Sequence, residues 1–370
     1  WCKTIRGTRY HFGTDKDKAL DRYVADKDHL LAGKTPPPKG YTVRDLLNAY
    51  LDHQCAKVEA HDLKPRSFAL DKRTTKRMAK ILGKQTKLIH IGVAELEELR
   101  ASCGGKPTTR ANEIGRIRTV LKFAFDIGMI DRPIRLAVLK KPPAKALRLA
   151  RRERTPRLLE PGQVRAMLEV VEEFPQLRAM ILLGVNCGFG NTDCAELGQA
   201  DLLLNAGWLN WWRPKTAMAR RAKLWPETVE AIRTALESRP KPKSPEHCDR
   251  VFLTRCGVPW VREALAGEKV LAKDAIGQAF RRLFISLGIK DTSDGLGFYC
   301  FRHCFATVAD QLGDKDATRM AMGLLSDDVA NTFYVEKFAD NRLERISEHV
   351  HNWLWPPEPE KKQHPKTKRT

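Results

Sequence analysis

The chain has 370 residues, with 66 lysines and arginines against 45 acidic residues and a formal net charge of +21. This excess of positive charge favours a polyanionic partner, and nucleic acid fits it better than a membrane surface. The length predicts two or three domains, and because no run of eighteen apolar residues occurs, we expect no membrane-spanning helix and no membrane partner.

The nine cysteines are scattered along the chain, and none form a Cys-x-x-Cys pair. His303 and Cys304 are adjacent, but no second pair of ligands follows at the spacing of a zinc site. We therefore expect reduced and mostly buried thiols, as in a cytosolic protein, with no metal and no cofactor.

Residues 1–34 predict a small module. Ile5, Tyr10 and Phe12 alternate with basic residues around a turn at Gly7-Thr8, which indicates a hairpin, and residues 15–32 predict a helix. Three consecutive prolines at 36–38 predict a stiff linker to the next domain.

Residues 41–131 predict a compact bundle of four helices. Thr42 is placed to cap the first helix, and the second and fourth, near 67–81 and 109–127, carry many cations. Either helix alone is typical of a solvated surface, but two such faces in one basic bundle favour contacts with DNA phosphates. The candidate DNA-binding residues here are Arg73, Lys76, Arg77, Arg110, Arg116, Arg118 and Lys122.

Residues 132–157 contain ten basic residues, including Arg151 and Arg152, and only one acidic residue. Pro133, Pro142, Pro143 and Pro156 discourage a regular helix, so the segment predicts a flexible basic linker. Its charge suits a strap that closes around DNA, since like charges at this density would otherwise repel one another. A plain solubilising linker is the alternative.

Residues 158–355 predict a second, mainly helical domain. Helices are expected near 161–171, 177–187, 226–238, 276–287, 301–312 and 340–355, with strands at 208–213, 220–224 and 251–254. The last of these helices can pack on its own domain or dock into a neighbour. The basic, proline-rich residues 356–370 predict a disordered tail.

Arg302 lies beside an apolar helical stripe that includes Phe301 and Phe305, and Tyr334 follows about thirty residues later. Arginine is rarely buried without a partner. Taken alone, Arg302 suits a structural ion pair and Tyr334 suits a core position. In this order, and in so basic a chain, the pair indicates a phosphate-binding cation and a covalent nucleophile.

The run Tyr299-Cys300-Phe301-Arg302-His303-Cys304-Phe305-Ala306-Thr307, followed by Tyr334, resembles the active-site half of the tyrosine recombinases, the phage-integrase family. The resemblance spans roughly residues 40–355. It implies a mainly α fold with small antiparallel β: a helical core-binding (SAM-like) domain and a mixed catalytic domain.

The resemblance also implies roles for single residues. Arg302 would hold the scissile phosphate, and Tyr334 would attack it to form a 3′-phosphotyrosyl link. Lys215, in Pro-Lys-Thr after the first strand, would protonate the leaving oxygen. His303 would support the site structurally.

Three positions depart from the family pattern. Gly190 stands where the first catalytic arginine is expected, although Asp193 matches the acidic position that follows. Tyr299 replaces a histidine or lysine, and Gly323-Leu324-Leu325 replaces a later Gly-His. Loss of one transition-state donor typically costs about 2.7–4 kcal/mol, or 100- to 1000-fold in rate. Tyr299 could supply a hydroxyl donor, and Arg213, Arg220 or Arg221 could supply the missing cation.

The sequence therefore predicts a site-specific integrase of a mobile element. It would act on double-stranded DNA as a homo-oligomer, a tetramer on paired sites, in a prokaryotic cytoplasm. A catalytically impaired DNA-binding protein on the same fold and a type IB topoisomerase-like nicking-closing enzyme are the alternatives. Residues 1–34 would be an arm-type DNA-binding module, or a strand pair that only packs on the next domain.

Overall fold

The computed structural model describes residues 1–33, 40–153, 157–213, 218–266, 269–289, 296–324 and 339–357. The chain divides into two compact units. One comprises Trp1–Arg154 with Leu265–Val270, and the other comprises Thr155–Ala264 with Leu271–Thr370. Both are mainly helical with small antiparallel sheets, which confirms the predicted fold class.

The first unit opens with the predicted hairpin and helix. Strands β1 (Cys2–Ile5) and β2 (Thr8–His11) pair antiparallel, and α1 (Lys16–Leu31) follows. The turn lies at Arg6-Gly7, one residue before the predicted Gly7-Thr8, because Thr8 already pairs with Ile5. Both turn residues have positive φ, which suits a tight hairpin. A small separate core holds the module together: Ile5, Phe12, Ala19 and Leu30.

The predicted four helices of the bundle are confirmed. They are α2 (Val43–Glu59), α3 (Pro65–Leu82), α4 (Val93–Ala101) and α5 (Pro107–Asp126). Thr42 and Asp45 form a capping box, in which Thr42 Oγ1 accepts from the Asp45 backbone N–H and Asp45 Oδ2 accepts from the Thr42 backbone N–H. The proline run expected as a linker falls at 34–39, outside the described residues.

The prediction that residues 132–157 lack a helix is wrong. A 3₁₀ turn covers Leu136–Val138, and α6 spans Ala144–Arg152. Pro143 stands only at the N-cap of α6, where it blocks no hydrogen bond, and the helix itself contains only alanine, leucine, lysine and arginine. Leu139 is fully buried in the core of the bundle, so this core extends beyond the expected boundary at 131.

The second unit is built around α8 (Pro175–Cys187), which is buried from Ala179 to its end. Around the unit lie the other helices: α7 (Pro161–Val170), α9 (Asn191–Glu196), α10 (Pro226–Glu237), α11 (Ala275–Ser286), α12 (Tyr299–Asp310), α13 (Lys315–Met322) and α14 (Asp340–Leu354). Helices α10 and α12 pack directly on α8. Because neighbouring elements cover α8 on all sides, apolar side chains occur all around it.

The described part of this unit contains an antiparallel sheet with the order β3 (Leu202–Leu203), β4 (Trp208–Arg213) and β5 (Met218–Lys223). A further sheet pairs β6 (Val261–Ala266) with β7 (Lys269–Asp274), and its Leu265–Val270 segment belongs to the first unit. The strand predicted at 251–254 is wrong, because only an isolated bridge joins Leu253 to Pro259. The β6–β7 hairpin was missed because its alanine, glutamate and lysine content is atypical of strands.

Helix α14 packs on its own unit, which was one of the two alternatives left open by the sequence. Leu343, Ile346 and Val350 are buried, and Trp225 Nε1 donates to the Ser347 carbonyl at 2.9 Å. Within the described ranges, no helix is long and apolar enough to cross a membrane.

Candidate functional site

The centre of the candidate site is the carboxylate of Asp193, which lies just beyond the end of the buried helix α8. That helix stops at Gly188, which has φ of +66° and where a Cβ would lie 2.8 Å from Phe305 Cδ1, so only glycine fits. The chain then turns into the short helix α9. Asp193 lies in its first turn, where Oδ2 accepts from the Gly190 backbone N–H at 3.1 Å. Asp193 is thus held by local geometry and is only 3% exposed.

Arg302 reaches this carboxylate from α12. Its Nη1 lies 3.3 Å from Asp193 Oδ2 and donates to the Gly188 carbonyl at 2.5 Å, while Nη2 donates to the Met322 carbonyl at 3.1 Å. The predicted catalytic arginine is therefore buried, and its partners come from the ends of α8 and α13 as well as from α9.

Two further arginines reach Asp193 from the β4–β5 hairpin. Successive residues of a strand face opposite sides, and the register pairs Trp211 with Arg220 and Arg213 with Met218, so Arg213 and Arg220 share the inner face. Arg213 Nε lies 3.0 Å from Asp193 Oδ1, and Arg220 Nη1 lies 3.3 Å from Oδ2. Three guanidinium groups therefore surround one carboxylate.

Arg220 is enclosed completely. Its Nε donates to the Ala321 carbonyl at 2.8 Å, its Nη2 donates to the Cys187 carbonyl, and its guanidinium lies over the Phe189 ring, 3.8 Å from the centroid. Each nitrogen of its guanidinium has an acceptor, so the side chain ties β5 to the ends of α8 and α13.

Burial and charge act against each other in this cluster. Burial raises the pKa of Asp193, but Arg220, Arg213 and Arg302 outweigh it and hold the pKa below its usual value. Burial lowers the pKa of Arg220 to about 10 and also lowers that of Arg302, in both cases against the attraction of Asp193. Asp193, Arg220 and Arg302 are therefore charged at neutral pH, which leaves an excess of positive charge in the described part of the cluster.

The ring of Tyr299 covers the position where the first catalytic arginine was expected. A Cβ built on Gly190 would lie 3.0 Å from Tyr299 Cε2 and 3.2 Å from Cδ2. The same ring centroid is 6.0 Å from Arg302 Cζ, and Tyr299 is 47% exposed, so it stands at the surface above the buried arginine. His303 packs edge-on against this ring at 5.5 Å, a contact that suits the structural role predicted for it.

The structure does not describe two of the remaining candidates, and a third lies outside the cluster. Lys215 falls at 214–217 and Tyr334 at 325–338, both outside the described residues. Arg221 faces the outer side of β5, where Nε pairs with Asp340 at 2.7 Å and Nη1 donates to Asn210 at 2.6 Å, so it is not part of the cluster. In the sequence, the motif marked Asp193 only as an acidic position. The signal for its partners Arg213 and Arg220 was the alternation of inward-facing and outward-facing residues along β4 and β5.

Most of the candidate DNA-binding cations of the first unit are exposed: Arg73, Lys76, Arg110, Arg118, Lys122, Arg151 and Arg152. Three of the candidates also serve the fold. Arg77 pairs with the buried Glu113 at 3.3 Å, Arg116 pairs with Asp71 at 3.6 Å, and Arg118 Nη1 donates to the carbonyls of residues 136 and 139.

Potential metal ligands do not cluster in the portion of the chain that the structure describes. No three histidine, cysteine, aspartate or glutamate side chains meet there in a way that could hold an ion. The nine cysteines are free, and five of them are buried.

No family model matches this chain, and no curated protein matches it. Solved structures do. The Tn1549 transposon integrase in complex with transposon right end DNA superposes with a TM-score of 0.58 at 15% identity, over 82% of this chain and 98% of that one. A lambda integrase dimer bound to a COC′ core site gives 0.57 at 15% identity, over 81% and 99%.

A lambda integrase tetramer bound to a Holliday junction gives a TM-score of 0.57 at 15% identity, over 92% of this chain and 95% of that one. At this identity the likeness concerns the fold, and it extends over both units. The chain therefore has the fold of the tyrosine recombinases, the phage-integrase family.

Proposed function

We propose that this protein is a site-specific DNA recombinase that cuts and rejoins DNA through a 3′-phosphotyrosyl intermediate at Tyr334. The observation that carries the proposal is the cluster of Arg213, Arg220 and Arg302 around one carboxylate, Asp193, at the end of the buried helix of an integrase fold.

The charge of the cluster supports an anionic substrate. One carboxylate offsets only one of three guanidinium groups, and burying charge without a counter-charge is costly. Backbone carbonyls of residues 187, 188, 321 and 322 satisfy guanidinium N–H groups but carry no full charge. A phosphodiester supplies one further negative charge, and arginine is the side chain best suited to hold its oxygens.

The proposed reaction is phosphoryl transfer. The Tyr334 hydroxyl gives up its proton to water as its oxygen forms a bond to phosphorus and the bond from phosphorus to the 5′ oxygen breaks. Lys215 donates a proton to that 5′ oxygen. Arginine donors stabilise the charge that grows on the non-bridging oxygens. The free 5′-hydroxyl of another strand later attacks the phosphotyrosine, which reverses the chemistry and releases Tyr334.

Chain connectivity is compatible with these roles. Lys215 follows Arg213 by two residues, and Tyr334 lies in the chain between α13 and α14. The end of α13 contacts Arg302 and Arg220, and the start of α14 contacts Arg221. The chain segment that contains Tyr334 is therefore flanked by the end of α13 and the start of α14, and both of these contact arginines of the β4–β5 hairpin or of α12.

The first unit would hold the duplex. Its exposed cations on α3, α5 and α6 would contact phosphates without reading bases. Recombination at two sites requires several copies, and we propose a tetramer on paired sites, by analogy with the lambda integrase tetramer on a Holliday junction. Integration of a mobile element is the proposed use.

The test is covalent capture on a suicide substrate. Duplexes that tile the DNA on either side of the gene would be nicked at staggered positions, so that the cleaved end is lost and religation fails. Wild-type protein and Tyr334→Phe would be compared on a denaturing gel. We expect a protein–DNA adduct on at least one tile, and we expect Tyr334→Phe to bind that tile but form no adduct.

A non-catalytic DNA-binding protein is the second candidate, because Gly190 provides no side chain where an arginine was expected. Tight binding on a tile with no adduct from the wild-type protein would support it and contradict the recombinase proposal. A nicking-closing enzyme would form the adduct but rejoin only the original strand, which a labelled second duplex distinguishes.

A further inference from the structure

We infer that Arg213 is a phosphate-binding residue of this site and acts together with Arg302 on the scissile phosphate. The inference rests on the proposed function, because it assigns a second guanidinium to the same phosphoryl transfer. Its basis is the positions of the four arginines that the β4–β5 hairpin and α12 bring to or near Asp193.

Arg213 and Arg302 approach the same oxygen atom. Arg213 Nη2 lies 3.5 Å from Asp193 Oδ2, and Arg302 Nη1 lies 3.3 Å from it. The two guanidinium groups are therefore close enough for one phosphate group to contact both. A pair of arginines on one phosphate adds donors where negative charge develops during transfer.

The contacts of Arg220 and Arg221, the other two arginines of the hairpin, exclude them as phosphate-binding residues. Arg220 is 1% exposed and each of its nitrogens is bound to an oxygen of the protein, so a phosphate cannot reach it without breaking that set. Arg221 lies on the opposite face of the strand with Asp340 and Asn210. Of these three hairpin arginines, Arg213 lies on the inner face and has a nitrogen, Nη1, that meets no acceptor among the described residues.

Arg213 is also oriented for the task. The Nε and Nη2 nitrogens of Arg213 both face the Asp193 carboxylate. Because the guanidinium is planar, the Nη1 nitrogen lies at the corner away from that carboxylate. Asp193 would therefore position Arg213 while its other donors reach the substrate. Arg213 is the last residue of β4.

Gly190 explains why the hairpin has to supply this cation. The ring of Tyr299 occupies the space into which a side chain at 190 would begin, so the chain can place no cation there without moving Tyr299. Arg213 approaches Asp193 from the hairpin, so this contact does not require the space that the Tyr299 ring occupies.

The experiment measures the rate of adduct formation on the captured tile for wild type, Arg213→Ala, Arg213→Lys and Arg233→Ala. Two substrates are used: the natural phosphodiester, and a methylphosphonate in which one charged non-bridging oxygen at the scissile phosphate is replaced by a methyl group. Urea unfolding of each variant checks that it folds, and free guanidinium chloride at millimolar concentration is added back to Arg213→Ala.

On the phosphodiester, we expect Arg213→Ala to slow adduct formation by about 100- to 1000-fold, and Arg213→Lys to slow it less. Arg233→Ala should remain within a few-fold of wild type, because Arg233 is exposed on α10 and contacts Asn205 rather than the cluster. On the methylphosphonate, the difference between wild type and Arg213→Ala should shrink to about 10-fold or less, because the charge that Arg213 binds is absent. Free guanidinium should restore part of the rate on the phosphodiester.

An equal defect on both substrates, with no rescue by guanidinium, would overturn the inference and make Arg213 a purely structural partner of Asp193. A rate within a few-fold of wild type for Arg213→Ala would overturn it as well. In both cases the wild-type adduct would still support the recombinase. If Arg213→Ala does not fold, Arg213→Lys on the two substrates decides the question in the same way. Absence of any wild-type adduct would overturn the proposed function and this inference with it.

Discussion

Gly190 and Tyr299 fit together as one unit: the Tyr299 ring lies so close that a Cβ at 190 would be 3.0 Å from its Cε2 atom. We therefore expect the two positions to be energetically coupled. Gly190→Ala should destabilise the second unit by about 1 kcal/mol in the wild-type background, because the half-exposed ring must shift.

In a Tyr299→Ala background the same Gly190→Ala change should have little effect. Urea unfolding of the four proteins measures the coupling, which we expect to exceed about 0.5 kcal/mol. Gly297→Ala is the matched control, since a Cβ there meets no atom within 4 Å. If the losses of stability caused by Gly190→Ala and Tyr299→Ala simply add, the close packing of residue 190 against the Tyr299 ring would be contradicted.

Asp193 holds the arginine cluster together. Replacing it with asparagine, which has nearly the same shape but no charge, should therefore destabilise the second unit. Asp193→Asn leaves three buried or nearly buried guanidinium groups without their carboxylate, and we expect a loss of about 3–5 kcal/mol. Glu344→Gln makes the same chemical change in a surface pair with Lys223 at 3.7 Å and should cost less than about 1 kcal/mol. Equal losses for the two variants, by urea unfolding, would show that the cluster is not a buried charge network.

The lowered pKa of Asp193 predicts a particular dependence of stability on pH. Its folded-state pKa lies below the unfolded value of about 3.9, so the unfolded state takes up a proton first as the pH falls. The contribution of Asp193 is therefore complete well above pH 4 and is lost as the pH falls through the folded-state pKa.

The difference in unfolding free energy between wild type and Asp193→Asn should accordingly be constant between about pH 5 and 7 and shrink below about pH 4. Urea titrations at several pH values measure it. A difference that grows as the pH falls would mean that the pKa of Asp193 is raised in the folded protein.

Lys76 and Arg77 are neighbours on α3 with different environments, and they should respond differently to truncation. Lys76 is exposed, so Lys76→Ala should weaken DNA binding and lower the slope of log K against log salt concentration by about one, with stability unchanged. Arg77 pairs with Glu113, which is 4% exposed, so Arg77→Ala should destabilise the first unit by about 1–3 kcal/mol.

Fluorescence anisotropy at several salt concentrations and urea unfolding separate the two effects. If Lys76→Ala leaves the salt slope unchanged, α3 does not contact the DNA backbone. If Arg77→Ala leaves stability unchanged, its ion pair with Glu113 contributes nothing measurable, and its exposed fraction is available for DNA.

Local patterns in the sequence determined most of the elements. Thr42 and Asp45 mark the start of α2, the uniformly apolar run of α8 predicts a buried helix, and the stripe around Phe301 and Phe305 predicts α12. These features depend on residues a few positions apart, which is why helical spacing and caps reveal them. The motif at Arg302 likewise indicates a phosphate-binding site from the sequence alone, because its resemblance is carried by a short continuous run.

Tertiary structure decided what no short run contains. Asp193, the hairpin arginines Arg213 and Arg220, and Arg302 come from three separate segments of the chain, the outermost 109 residues apart. Only the packing of α9, the β4–β5 hairpin and α12 brings them to one point. The helix α6 also escaped prediction, because the prolines beside it suggested a break while its own residues favour a helix. The sequence supplied the charges and the local geometry; the fold decided which charges meet, because burial around one carboxylate is a property of residues that are distant in sequence.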